Sequence, residues 1–191
     1  DGELYTKGPY LMSGYHNQVR LTDAAIDKNG WFHTGDLASI DEDGFITIEG
    51  RKKELFKTSN GKYIPAIHVE QLLTQNRWCD YAVVVADNKP YVTAFIFLDS
   101  VVIKEYAERK HLHFKNIEEL YNSKPIQKLV KQFVAQANKH LNHEEKVKKY
   151  HVVTEEPTID NHILTPSMKV SRVAVYKKYE DVIKSLYGES L

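Results

Sequence analysis

Two apolar runs a short turn apart constrain this chain most: Tyr81-Ala82-Val83-Val84-Val85-Ala86 and Tyr91-Val92-Thr93-Ala94-Phe95-Ile96-Phe97-Leu98, joined through Asp87-Asn88-Lys89-Pro90. Runs rich in β-branched and aromatic residues, separated by turn formers, predict an antiparallel hairpin. Helical periodicity surrounds it. Pro65 opens a helix through Val69, Leu72 and Leu73, and residues 101–110 read as a second. Residues 123–141 read as a longer helix, with Ile126, Leu129, Val130, Phe133, Val134 and Ala137 on one core-facing stripe. Ser123 is its expected cap, with Pro125 in the first turn. Residues 147–155 give another strand and 173–186 a closing helix, so residues 51–191 are expected to form one small α+β domain.

Residues 1–50 read differently, rich in strands and turns. Leu4-Tyr5-Thr6 and Phe45-Ile46-Thr47-Ile48 alternate like half-buried strands, and Asp41-Glu42-Asp43-Gly44 reads as a hairpin turn. Residues 22–26 predict a short helix capped by Thr22. A segment this short buries little core by itself.

Lysine plus arginine equals aspartate plus glutamate at 26 each, so no net field recruits nucleic acid or an anionic membrane. No run of about 18 apolar residues is present to span a bilayer. A single cysteine, Cys79, excludes an internal disulfide and makes a cytoplasmic location the default; it reads as a packed thiol. Asp1-Gly2-Glu3 is no signal peptide. With no initiator methionine, it suggests a fragment of a longer chain. His111 with His113 and His140 with His143 lack supporting ligands at metal spacing, so no metal site is expected.

The chemistry-bearing residues concentrate in two places. Gly30-Trp31-Phe32-His33-Thr34-Gly35-Asp36-Leu37 is followed by Gly50-Arg51-Lys52-Lys53-Glu54 and by Ser59-Asn60-Gly61-Lys62-Tyr63-Ile64. A carboxylate in a tight Thr-Gly-Asp turn can accept hydrogen bonds from vicinal hydroxyls, and an arginine after the next strand can reach a sugar or phosphate oxygen. Near the end, Leu164-Thr165-Pro166-Ser167-Met168-Lys169 sets one lysine after a proline-stiffened turn.

These blocks, with residues 2–4 and Gly14-Tyr15 upstream, resemble in order and spacing the distal part of the adenylate-forming superfamily, which includes acyl-CoA synthetases, peptide-synthetase adenylation domains and firefly luciferase. The resemblance covers essentially the whole chain. It implies the small C-terminal domain of the acyl-CoA synthetase/luciferase-like fold, preceded by a β-rich tail of the large N-terminal domain. By resemblance, Asp36 holds the ribose hydroxyls of ATP, Arg51 lies near the same ribose and phosphate, and Lys53 is the hinge. Glu54 stands where aspartate is more common. Lys169 is by resemblance the adenylation lysine, and Gly61, Lys62 and Tyr63 form the hairpin that faces the pantetheine arm of CoA after rotation.

The Gly-Lys-Tyr-Ile form of that hairpin, the helical stretch over 117–141 and the Leu-Thr-Pro-Ser-Met-Lys motif are most similar to long-chain fatty acid-CoA ligases. The resemblance therefore implies a fatty acid, ATP and CoA as substrates and the N-terminal domain of the same chain as partner. The phosphate loop and the Mg2+ ligands belong to that absent domain, so the fragment is expected to be inactive alone, and the full-length enzyme can sit peripherally at a membrane. The lysines at 146, 148 and 149 read either as contacts for CoA phosphates or as a solvated strand edge. Two other readings stay open: an adenylate-former that loads a carrier protein, and a non-catalytic binding module of the same fold.

Overall fold

A computed structural model of the chain describes residues 2–188, apart from the side chain of Glu49. Asp1 and the last three residues, which the expected domain ranges include, lie outside the described residues. The chain divides into two compact units, Asp1–Leu55 and Phe56–Leu191.

The first unit is a three-stranded antiparallel sheet, β1 (Glu3–Thr6), β2 (Phe32–Ile40) and β3 (Ile46–Arg51), with one helix, α1 (Val19–Ala25). The turn expected at 41–44 joins β2 to β3. Asp41 Oδ1 accepts from the amides of Asp43 (3.0 Å) and Phe45 (2.8 Å), and Gly44 takes the left-handed position that closes such a loop. Thr22 does not cap α1, which begins after Gln18. Its hydroxyl instead donates to the Gln18 carbonyl one turn back (3.0 Å) and accepts from the Tyr15 amide (2.9 Å).

The second unit is built on the mixed sheet β6 (Cys79–Val85), β7 (Val92–Leu98) and β8 (Val147–Val153). The predicted hairpin is present, with Val83 opposite Phe95, while β8 joins β7 in parallel. All seven residues of β7 are buried because both faces of the sheet are covered. Val84, Ala94 and Ile96 point to one face, against α2 (Ala66–Thr74), α3 (Ser100–Arg109), α4 (Ile117–Asn122) and α5 (Lys124–Ala137). Val83, Phe95 and Phe97 point to the other, against α6 (Arg172–Lys178) and α7 (Glu180–Tyr187). Between the units' regular elements runs a short hairpin, β4 (Leu55–Lys57) with β5 (Tyr63–Pro65).

Four expectations for this unit need correction. The long helix stops at Ala137 and continues only as a 3-10 turn, although its apolar stripe is buried as expected. Ser123 occupies the cap position of α5 without bonding through its side chain, and its buried hydroxyl lacks a partner among the described residues. The closing helix is two helices, because Tyr179 leaves helical geometry (φ −110, ψ 29). Its hydroxyl donates to Glu155 Oε2 (3.0 Å) and its ring packs on Phe95. Glu155 is drawn to Tyr179, Lys178 and Asn161, which ends β8 at Val153 rather than at 155.

Candidate functional site

In the first unit, Thr34, Gly35 and Asp36 lie inside the nine-residue strand β2 and not in a tight turn between strands. Gly35 sits at φ +72, where a Cβ would be disfavoured, and the strand's register slips on both sides of this segment. Thr34 Oγ1 fixes the irregularity by donating to the Leu4 carbonyl (2.7 Å) and accepting from the Asp36 amide (3.0 Å).

That register sets Asp36 directly opposite Arg51 on β3. Arg51 Nε lies 2.9 Å from Asp36 Oδ1, with the arginine side chain 60% exposed and the aspartate 26%. An exposed pair of this kind adds little stability, so its consequence is orientation. Among the described residues no hydrogen bond or ion pair engages Asp36 Oδ2, which leaves it available to a ligand hydroxyl.

Glu3 and Lys52 support the same corner, a pairing that the sequence reading did not find. Glu3 Oε1 accepts from the Gly35 amide (3.2 Å) and Oε2 binds the Lys52 ammonium (2.9 Å). The bond from Lys52, and secondarily the Gly35 N–H, hold the Glu3 carboxyl below its usual range. A cleft of about 530 Å³ opens beside them, lined by His33, Thr34, Gly35, Arg51, Lys52 and Lys53 among others; Asp36 is not part of its wall. Lys53 lies exposed in the 3-10 turn Lys52–Glu54 that leads from β3 into β4.

In the second unit, Gly61, Lys62 and Tyr63 share the β4–β5 hairpin. Thr58 closes it: its amide donates to the Lys62 carbonyl (2.8 Å) and its hydroxyl accepts from the Lys62 amide (3.1 Å). Gly61 has φ +77, and a Cβ there would meet nothing within 4 Å, so backbone conformation and not crowding requires glycine. The hairpin rests on the β6–β7 turn through Ser59 N–H to Lys89 O (3.0 Å) and Asn88 N–H to Lys57 O (2.8 Å).

Lys169 occupies a separate hairpin. The Met168 amide donates to Thr165 O (2.8 Å), Thr165 N–H donates to Lys169 O (2.8 Å), and Leu164 bridges Val170. Pro166 takes the corner that its fixed φ favours, and Met168 adopts the left-handed conformation (φ 60) that ends such a turn. Buried Ile163 and Leu164 anchor the stem, while Lys169 is exposed where the turn closes and its ammonium makes no hydrogen bond or ion pair among the described residues.

At the base of this hairpin Arg172 makes a two-pronged ion pair with Glu70, Nη1 to Oε1 at 2.6 Å and Nη2 to Oε2 at 3.0 Å. These residues are 102 positions apart, and no local pattern announces the pair. Burial pushes the neighbouring Tyr176 hydroxyl up to about 12, and it donates to Val84 O.

A family model for the AMP-binding enzyme C-terminal domain matches residues 53–190. The chain belongs to that family. Among curated relatives it is 36% identical over 191 residues to the long-chain-fatty-acid–CoA ligase FadD15 of Mycobacterium tuberculosis, covering 99% of this chain and 32% of the relative. It is 28% identical to the long-chain-fatty-acid–CoA ligase ACSBG2 of Gallus gallus, covering 99% and 27%. The chain thus spans about a third of the curated relatives it matches.

Among solved structures the adenylation domain of a carboxylate reductase from Mycobacterium chelonae aligns with a TM-score of 0.80 at 19% identity, over 98% of this chain and 28% of that one. The corresponding domain of the Segniliparus rugosus reductase, in complex with AMP and a carboxylic acid, aligns with a TM-score of 0.76 at 20% identity, over 98% and 28%. Identity this low carries the fold alone. The α+β fold of the C-terminal domain of adenylate-forming enzymes is the fold of this chain.

The remaining candidates are quiet. Burial pushes the Cys79 thiol up to about 12 and its Sγ donates to Tyr81 O, as a packed thiol would. Among the described residues no group of three or more histidine, cysteine, aspartate or glutamate side chains is placed to hold a metal ion. No described helix is long and apolar enough to cross a membrane. Of the three basic residues on or beside β8, Lys149 is engaged at the sheet edge, donating to Leu186 O (2.7 Å) beneath the Tyr91 ring.

Proposed function

We propose that the chain is the C-terminal part of an ATP-dependent ligase that joins a fatty acid, of the long-chain class, to CoA through an acyl-adenylate. The observation that carries this reading is Lys169: an exposed ammonium, unpaired among the described residues, beside the turn of a firmly bonded hairpin, in a chain whose curated relatives are fatty acid–CoA ligases.

In the first half-reaction a carboxylate attacks the α-phosphorus of ATP and pyrophosphate leaves with the displaced bond's electrons. Two anions must meet, so a compact ammonium with three donors lowers the barrier by bridging carboxylate and phosphate oxygens. Lys169 supplies it. Asp36, oriented by Arg51, accepts from the ribose hydroxyls, and Arg51 lends positive charge near the phosphate.

In the second half-reaction the CoA thiol attacks the acyl carbonyl and AMP leaves. Before that attack, rotation about Lys53 withdraws Lys169 and presents the Gly61-Lys62-Tyr63 hairpin to the pantetheine arm. The open space over Gly61 supports that role, and the position of Lys53 in a short turn two residues before the boundary between the units supports the hinge. Magnesium, when bound by residues outside this chain, would offset the charge of the phosphates. The N-terminal domain of the same protein is the partner that covers the exposed apolar side chains of the first unit, Phe45, Ile46 and Ile48 among them.

The full-length protein containing this chain tests the reading by ATP–pyrophosphate exchange with a panel of fatty, aryl and amino acids. Exchange with long-chain fatty acids should fall by about 100-fold or more in Lys169→Ala, while thioester formation from supplied acyl-adenylate persists. Exchange with no acid would sink the ligase reading and leave a binding module. Acyl transfer to a carrier-protein thiol in place of CoA would favour the loading enzyme.

A further inference from the structure

The base of the Lys169 hairpin is held more firmly than a surface loop requires. The Arg172 guanidinium forms its fork with Glu70, donates from Nη1 to Val84 O (3.0 Å) and stacks 5.1 Å from the centre of the Phe56 ring. Glu70 Oε1 in turn accepts from the Val84 amide (2.7 Å). Both side chains are largely covered, 20% and 16% exposed. Both outward backbone groups of Val84, on the open edge of β6, are therefore satisfied by this pair.

Two bonds of Ser171 fix where the hairpin leaves that anchor. The Ser171 amide donates to Ile163 O (2.8 Å), and the Ser171 hydroxyl caps α6 by accepting from the Ala174 amide (3.4 Å). Only Val170 and Ser171 separate Lys169 from Arg172, and Glu70, Arg172, Met168 and Lys169 line one groove of about 330 Å³.

We propose that Arg172, locked by Glu70, is the positioning residue for Lys169, setting the direction of the hairpin without touching the reacting atoms. The inference rests on the adenylation role given to Lys169. A planar fork suits this task, since it fixes direction as well as distance, whereas a lysine at 172 would hold only a point contact. A displacement of about 1 Å at a reacting group can cost about 100-fold in rate. Loss of the fork should therefore appear in the adenylation step and not in thiol transfer, where Lys169 has no part.

Arg172→Lys, Arg172→Gln and the milder Glu70→Gln, made in the full-length protein, test it with two readouts. Pyrophosphate exchange should drop by about 10- to 100-fold, with thioester formation from supplied acyl-adenylate within about twofold of wild type. Hydrogen exchange at the Thr165 and Ser171 amides, which close the hairpin stem, should quicken by about tenfold or more while the β6–β7 amides stay protected. Equal loss in both half-reactions, or unchanged protection at Thr165 and Ser171, would overturn the proposal. A wild-type protein without exchange activity would defeat the ligase reading instead, and the amide measurement would still decide whether Arg172 positions the hairpin.

Discussion

The two units solve the folding problem in opposite ways. In the second, β7 is apolar along its whole length and feeds two clusters, one per face of the sheet. In the first, no described residue is buried; three paired strands, a capped turn and a few ion pairs hold a sheet whose Ile40, Phe45, Ile46 and Ile48 side chains remain 53–70% exposed. A backbone ladder without apolar burial leaves conformational entropy unopposed. The first unit's structure thus depends on surface supplied from elsewhere, whereas the second carries its own.

Separating the pieces gives the largest expected effect. Residues 56–191 expressed alone should melt cooperatively by calorimetry and circular dichroism, while residues 1–55 alone should show no transition; a cooperative melt of the short piece would remove the contrast. Next in size, Phe95→Ala should cost about 3–5 kcal/mol in urea unfolding of the longer piece. Phe45→Ala, at a site exposed in this chain, should cost about 1–3 kcal/mol in the full-length protein, where the proposed domain partner covers it; a change of about 0.5 kcal/mol or less would show that the site stays exposed.

The smallest effect concerns pH. His151 sits on β8 against Phe95 and Tyr179, and burial lowers its pKa from the ordinary histidine value. The unfolded chain binds this proton more readily than the folded one, so the contribution is present above about pH 6.5 and is lost as pH falls toward the folded value. Melting temperatures of the second unit should therefore decline between pH 7 and 5, with a flatter slope in His151→Asn. An identical slope in the variant would assign the decline to other groups.

Burial on both faces made the second unit's centre legible. A continuous apolar strand next to a turn, or the stripe from Ile126 to Ala137, needs no tertiary information to be recognised. The strand around Asp36 was hidden because Gly35, Thr34 and Ser39 interrupt any alternation, and its irregularity depends on Leu4 and Glu3, some thirty residues away. The break at Tyr179 was equally hidden, since Lys177-Lys178-Tyr179-Glu180 suits a helix, and the bond to Glu155 and the ring contact with Phe95 that accompany the break come from distant parts of the chain. Motif spacing singled out Asp36, Arg51 and Lys169, and the cross-strand register then joined the first two. The Glu70–Arg172 fork had no such signal, because it links elements that meet only after the chain has folded.

The parallel entry of β8 has a consequence for synthesis. Strand β7 gains its first neighbour within a few residues, by the turn after β6, but its second begins only at Val147, after α3, α4 and α5 have been made. A ribosome therefore releases an apolar strand with one open edge well before the strand that closes it. During that interval α2, already made, and the helices of the crossover are the cover the growing chain can offer, and a chaperone that binds extended apolar segments would find β7 until β8 emerges.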